Sequence, residues 1–247
     1  MSKIVNAHVH FGVPWGPSPH LDVSYTPETL IRDMDRDGID MAVILPFIFN
    51  YDIEWHAKCA REHSDRLIAY AMFNPWRHEN IKEDIYKWKE WGIKGIKLRA
   101  VNEAFCLNSF DLLHGVFEAC EELDMLLMVH SGDDVSSTPL QVEEVLRYYP
   151  KLTVQLAHAG FRTCADEAIR VAKRNKNVIL DQTAATSQQF RDALENIEPE
   201  RIVWGSDSPY MDERVELEKT RVAIADQDRH IQELIMGENI LRILNIH

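Results

Sequence analysis

Eight short apolar runs recur along the chain, separated by longer amphipathic stretches, and this alternation limits the possible fold more than any other feature. The runs are Ile4–His10, Met41–Leu45, Leu67–Phe73, Gly95–Arg99, Met125–Val129, Leu152–Ala157, Val178–Asp181 and Arg201–Trp204. Most are continuously apolar rather than strictly alternating, which marks strands covered on both faces, as in a parallel sheet. The intervening segments carry helix signals. Thr26-Pro27 offers an N-cap followed by proline at the first helical position, Leu30, Ile31 and Met34 keep helical spacing, and Gly38 lies near the far end. Ser109 is positioned to cap a helix carrying Leu112, Leu113, Val116, Phe117 and Cys120, and Thr138-Pro139 opens another with Leu140, Val142, Val145 and Leu146. Strand and helix alternating eight times over 247 residues predict an α/β chain folded as one (β/α)₈ barrel domain spanning residues 1–247. An open doubly wound sheet is the alternative, but no glycine-rich nucleotide fingerprint follows any strand.

Composition narrows the function. The chain holds 27 Lys plus Arg against 40 Asp plus Glu, a net charge of −13. Such a surface repels nucleic acid and anionic membranes, so neither is expected as a partner. The longest apolar run, Met41 to Phe49, is broken by Pro46 and is too short to span a bilayer. The chain enters its first strand directly after Met1-Ser2-Lys3, so no signal peptide is expected. Cys59, Cys106, Cys120 and Cys164 show no C-x-x-C spacing and read as reduced core thiols. A cytoplasmic protein is expected, with a homo-oligomer left open.

Polar residues stand where the strands should stop. His8 and His10 lie two residues apart on the first, so they project from one face, where two imidazoles can grip a transition metal. His130 ends the fifth run, His158 follows the sixth, and Asp207 follows the eighth. Parallel strands in a barrel bring their C-terminal ends to one mouth, so these scattered residues converge. His20, His56, His63, His78, His114, His230 and His247 fall on helices or loops where solvent exposure accounts for them, with His20 and His56 also candidates for the rim of the mouth.

Several segments together resemble the amidohydrolase superfamily, and within it the amidohydrolase-2 branch of metal-dependent barrel hydrolases. They are Asn6-Ala7-His8-Val9-His10-Phe11-Gly12, Gly95-Ile96-Lys97-Leu98, Val129-His130-Ser131-Gly132, Leu156-Ala157-His158-Ala159-Gly160, Gly205-Ser206-Asp207-Ser208-Pro209 and Gly237-Glu238-Asn239-Ile240-Leu241. One departure is Asn6, where that branch usually carries aspartate. The resemblance implies that His8, His10, His130 and Asp207 bind one divalent ion, with His158 as the acid/base or substrate-polarising group and Asp207 also moving protons. Three imidazoles and a carboxylate suit zinc, and also manganese or iron. Lys97 sits where two-metal members of the superfamily carry a carboxylated lysine, but one ion is the expectation here.

Arg99, two residues beyond Lys97 and nearer the mouth, is positioned to clamp a substrate carboxylate. The aromatic loops holding Trp15, Tyr25, Phe47, Phe49, Tyr51, Trp55 and Trp76 are expected to form a partly apolar pocket for a small anionic molecule. The leading expectation is hydrolysis of a carboxylated, lactone or amide substrate through a metal-activated water. Non-oxidative decarboxylation on the same site is the alternative. A nuclease of the TatD-like kind ranks below both, since those proteins place glutamate on strand four, where this chain has Lys97.

Overall fold

The computed structural model describes residues 2–12, 25–48, 50–132 and 135–246. Its strands are β1 (Val5–Phe11), β2 (Met41–Pro46), β3 (Leu67–Met72), β4 (Gly95–Leu98), β5 (Leu126–His130), β6 (Val154–Ala157), β7 (Val178–Asp181) and β8 (Ile202–Val203). Order in the sheet follows order in the chain, with parallel neighbours from β1 through to β8. Each strand is followed by a helix: α1 (Pro27–Asp37), α2 (Ile53–Glu62), α3 (Ile81–Glu90), α4 (Phe110–Glu122), α5 (Pro139–Tyr148), α6 (Ala165–Arg174), α7 (Ser187–Asn196) and α8 (Glu213–Ile224). This is the (β/α)₈ barrel that the alternation predicts, with strand ends displaced by one or two residues from the apolar runs.

The helix ends show why the boundaries lie where they do. Thr26 caps α1 by accepting the Thr29 amide, and Gly38 ends it in the left-handed region at φ 72°. Thr138 opens α5 with a reciprocal capping box to Gln141. Ser109 occupies the N-cap position of α4, but its side chain makes no capping bond, contrary to its expected role.

Two apolar layers result. Val5, Ala7, Met41, Val43, Leu45, Tyr70, Met128, Ile179 and Val203 pack together inside the barrel. Beyond α9 (Arg229–Glu233), Ile240 of α10 (Asn239–Ile243) and Leu244 just after it join them and close the end where β1 and β2 begin. Outward residues such as Val9, Phe11, Ile44, Leu98 and Leu156 pack with the helices. Cys59 and Cys120 are buried thiols; Cys106 and Cys164 are half-buried rather than core, and all four are unpaired. Among the described residues no helix is long and apolar enough to cross a membrane.

Strand β1 does not keep a simple two-residue alternation. Asn6 pairs with Ala42 and Val9 with Ile44, so β1 spends three steps where β2 spends two. The extra residue is a β-bulge at Ala7–His8, the kind of irregularity that re-aims side chains beside active sites. Below it Val5 and Ala7 point inward; above it His8 and His10 do, while Asn6 faces out. The barrel closes where β1 meets the segment after β8. Ala7 N–H donates to the Trp204 carbonyl at 3.1 Å, and the amides of Ser206 and Asp207 both donate to the His8 carbonyl at 3.2 and 2.8 Å. His10 N–H donates to the Ser208 carbonyl at 2.7 Å. Gly205 permits this approach, since a Cβ there would meet Thr183 Oγ1 at 2.4 Å and His8 Cβ at 2.5 Å.

Candidate metal centre and active site

Three buried ligand atoms converge at the mouth over the β1–β8 seam. His8 Nε2 lies 3.3 Å, and His10 Nε2 3.2 Å, from Asp207 Oδ1. The other ring nitrogens are committed elsewhere. His8 Nδ1–H donates to Asp181 Oδ2 at 2.9 Å, and His10 Nδ1–H to the Pro46 carbonyl at 3.0 Å. A carbonyl only accepts, so His10 carries its proton on Nδ1 and turns a lone pair on Nε2 toward the carboxylate. Burial pushes His10 down to about 4, which keeps it neutral. His8 Nε2, His10 Nε2 and Asp207 Oδ1 are buried without a well-formed hydrogen bond. Lone pairs and an anion meeting in a buried space are the electrostatic complement of a cation. The donor set fits a divalent metal, and these three ligand atoms lie within 4.8 Å of one another.

The remaining candidates line up beside this group. His158 is the first residue after β6, in the left-handed region at φ 67°, with Ala159 at 45°. Asp207 is likewise left-handed at φ 57°. Non-glycine residues in that region store strain of about 1–3 kcal/mol and cluster at functional sites. The His158 ring stands 5.1 Å from that of His8 and 4.6 Å from that of His130. Its Nδ1–H donates to the Thr183 carbonyl at 3.2 Å, leaving Nε2 as an acceptor, and burial pushes the ring down to about 3. His130 is half-buried and lies outside the tight group of three, next to His158. Burial holds His130 well below its ordinary value.

Lys97 points into the barrel from β4, fully buried, its ammonium nitrogen without a hydrogen bond. Burial and the nearby Arg99 charge bring it down to about 7. Arg99 follows β4 half-buried, with Nε donating to Asn102 Oδ1 at 2.6 Å. Its charge acts on His10, His130, Lys97 and Glu103.

Several contributors are not among the residues singled out from the sequence. Asp181, at the end of β7, accepts from His8, from Gln155 Nε2 at 3.0 Å, and from the Thr183 amide and hydroxyl. It fixes the His8 tautomer, the usual task of a carboxylate behind a ligating histidine. The rule that marks Asp207, a polar residue where a strand stops, also marks Asp181. Tyr210 sets its ring edge-on to His10 at 4.9 Å and to Phe47 at 5.8 Å, making with Phe47 an aromatic wall. Glu103 is buried after β4, with Oε1 accepting from Tyr51 at 2.6 Å, and burial raises it to about 7.

The aromatic pocket is narrower than expected. Phe47 reaches the site, stacked 5.9 Å from His10. Tyr25 is buried and turned to Asp33, Trp55 stacks on Phe11, and Trp76 is exposed with its indole N–H on the Glu103 carbonyl. Trp15 and Phe49 lie outside the described residues, as do His20 and His247. His56 is not a solvent-exposed residue or a rim group: it is buried against Phe11 and Trp55, with its nitrogens on the Phe11 and Asp52 carbonyls. His78 is half-buried, stacked on Phe73 and bonded to Asp84.

Comparison with known proteins agrees with this fold. A probable 2-pyrone-4,6-dicarboxylic acid hydrolase from Acinetobacter baumannii, solved with citric acid bound, aligns with TM-score 0.74 at 16% identity, covering 99% of this chain and 100% of its own. A 2,6-dihydroxybenzoate decarboxylase from Rhizobium aligns with TM-score 0.78 at 14% identity over 99% of each chain. A 5-carboxyvanillate decarboxylase from Novosphingobium aromaticivorans, complexed with manganese and 4-hydroxy-3-methoxy-5-nitrobenzoic acid, aligns with TM-score 0.78 at 15% identity, covering 99% and 96%. At such identities these structures share the fold. No curated protein sequence matches the chain significantly. The family model described as Amidohydrolase matches residues 5–246, and the chain therefore belongs to that amidohydrolase family.

Proposed function

We propose that the chain is a metal-dependent hydrolase of a small anionic substrate, a carboxylated lactone or amide. The observation that carries this reading is the convergence of His8 Nε2, His10 Nε2 and Asp207 Oδ1 in a buried space, each without a hydrogen-bond partner. His8, His10, His130 and Asp207 would hold one divalent ion, zinc by the preference of three imidazoles and a carboxylate, with manganese and iron also compatible. Such an ion, when bound, supplies Lewis acidity that acidifies water and polarises a carbonyl. The rest falls to the side chains. Asp207 takes the proton of the attacking water at a carboxylate oxygen and returns it to the leaving group. His158, its proton held on Nδ1 by the Thr183 carbonyl, offers Nε2 to a donor on the water or the substrate. Arg99 holds the substrate carboxylate through its guanidinium fork.

A second reading shares every one of these residues. The Phe47–Tyr210 wall beside His10 suits a flat aromatic ring, so non-oxidative decarboxylation of an aromatic acid is the alternative reaction. The three structural relatives named above include both a hydrolase and decarboxylases. One experiment decides. Protein depleted with a chelator and reloaded with zinc or manganese is offered lactones, amides and aromatic acids, with ¹⁸O incorporation from water and carbon dioxide release read in parallel. Activity restored at one ion per chain, with ¹⁸O in the product, is the expected result. Carbon dioxide without ¹⁸O selects the second reading, and two ions per chain point to a carboxylated Lys97. Full activity in metal-free protein overturns both readings.

Arg99→Met is expected to raise KM for the best substrate about tenfold while metal content stays at the wild-type level. A charge-assisted bidentate contact contributes about 1.5–3 kcal/mol, and about 1.4 kcal/mol is a factor of ten. Arg99→Lys should recover part of the loss, since a point charge cannot reproduce the planar fork. Unchanged steady-state kinetics in Arg99→Met would remove the clamp from the scheme.

A further inference from the structure

We propose that Asn6 and Glu213 form a matched pair that builds the β1 bulge and so positions His8 and His10 against Asp207; the inference rests on the metal-site reading above. Asn6 is fully buried and faces outward, away from the barrel interior, beneath the start of α8. All four hydrogen-bonding positions of its carboxamide are used. Oδ1 accepts the His8 amide at 3.2 Å and the Ser206 amide at 3.0 Å. Nδ2 donates to Ser206 Oγ at 2.8 Å and to Glu213 Oε1 at 2.7 Å.

Each bond has a consequence at the mouth. A bulge leaves its extra residue outside the ladder, and the His8 N–H is satisfied by Asn6 Oδ1. The same oxygen holds the Ser206 amide, one residue before Asp207. One side chain therefore spans the seam between the strand that carries two imidazoles and the loop that carries the carboxylate. The carboxamide thus adds two bonds across the seam to the four that the backbone makes there.

Glu213 sets which way the carboxamide faces. Burial raises the Glu213 carboxyl to about 7, but the oxygen that faces Asn6 accepts from Nδ2, which draws the NH₂ end toward it and leaves Oδ1 for the two backbone donors. An aspartate at this position would set two carboxylates in hydrogen-bond contact, a like-charge burial that forces a proton onto one or drives them apart. Asparagine here and glutamate at 213 are thus two halves of one device. Reversing the pair, with a carboxylate at 6 and a carboxamide at 213, turns the contact round without losing it, the Ser206 hydroxyl then donating to the carboxylate instead of accepting from residue 6.

The test uses the full-length protein with two readouts: hydrogen exchange of the His8 and Ser206 amides, and Zn²⁺ affinity by competition with a chromophoric chelator. Asn6→Asp is expected to speed exchange at both amides and to weaken Zn²⁺ binding about 10- to 100-fold, the range for lost partners behind metal ligands. Asn6→Asp combined with Glu213→Gln should restore both to within about threefold, an amount worth less than ~1 kcal/mol. A merely structural asparagine would move neither the Zn²⁺ affinity nor its rescue. Wild-type exchange and wild-type Zn²⁺ affinity in Asn6→Asp overturn the proposal, as does a double variant no better than the single one. If Asn6→Asp does not fold, a folded double variant with wild-type Zn²⁺ affinity supports the pair, and an unfolded one overturns it. Should the wild type bind no Zn²⁺, the metal reading fails on its own, and the two amides still decide whether the clamp exists.

Discussion

His8→Ala is expected to lose its divalent ion and its turnover together while keeping the barrel. Metal sites with four protein ligands bind with about 10–16 kcal/mol, roughly 3 kcal/mol per ligand, so the variant should bind zinc about 100- to 1,000-fold more weakly. The fold should survive because Asp181, which loses the His8 N–H, still accepts from Gln155 Nε2 and from the Thr183 amide and hydroxyl. The cost to stability is then about 1–3 kcal/mol, that of one charge-assisted hydrogen bond. His114→Ala is the control: this exposed histidine on α4 bonds to Tyr149, and its loss should leave metal content untouched. The check is elemental analysis after gel filtration, beside a zinc titration and a thermal melt. A folded His8→Ala protein that retains one ion per chain and full turnover would place the active centre elsewhere.

The residues that gave the sequence its information are those whose chemistry depends on local spacing. Runs such as Met41–Leu45 had to be strands buried on both faces, and Thr26-Pro27 and Thr138-Pro139 had to start helices, because those choices depend on a few consecutive residues. The convergence of His8, His10 and Asp207 was legible for the same reason: once eight parallel strands are granted, their ends share a mouth. What was hidden is what depends on contacts between distant segments. The Ala7–His8 bulge breaks the alternation that would put Asn6 on the face of His8, and it is fixed by Glu213 some two hundred residues away. Asp181 reads as the polar end of an apolar run until the fold sets it behind His8. His56 looks like a surface helix residue, yet the rim aromatics Phe11 and Trp55 close over it. Tyr210 stands in a short loop, and only the turn at Asp207 aims it at His10.

Asp207→Asn is expected to lower kcat about 100- to 10,000-fold, the span usual for loss of a positioned proton-transfer group, and to cost less metal affinity than His8→Ala. The substitution keeps shape and volume, and the backbone around it is held by the Ser206 and Asp207 amides on the His8 carbonyl, so the mouth should retain its form. What changes is charge and basicity. A carboxamide cannot take a proton from water, and its NH₂ group can donate to the imidazole nitrogens at 3.2 and 3.3 Å, filling the very space that favours a cation. Some metal affinity is therefore lost, but two imidazoles and His130 remain as donors. His158→Gln provides the comparison that assigns the proton. If Asp207 carries it, His158→Gln should reduce kcat far less than Asp207→Asn, since Nε2 of His158 contributes a hydrogen bond rather than the transfer itself. Single-turnover rates on protein saturated with zinc separate the chemical step from occupancy. Equal losses in the two variants would assign the proton to a relay through both residues. An Asp207→Asn enzyme with undiminished single-turnover rate would show that its carboxylate neither holds nor moves the reacting proton.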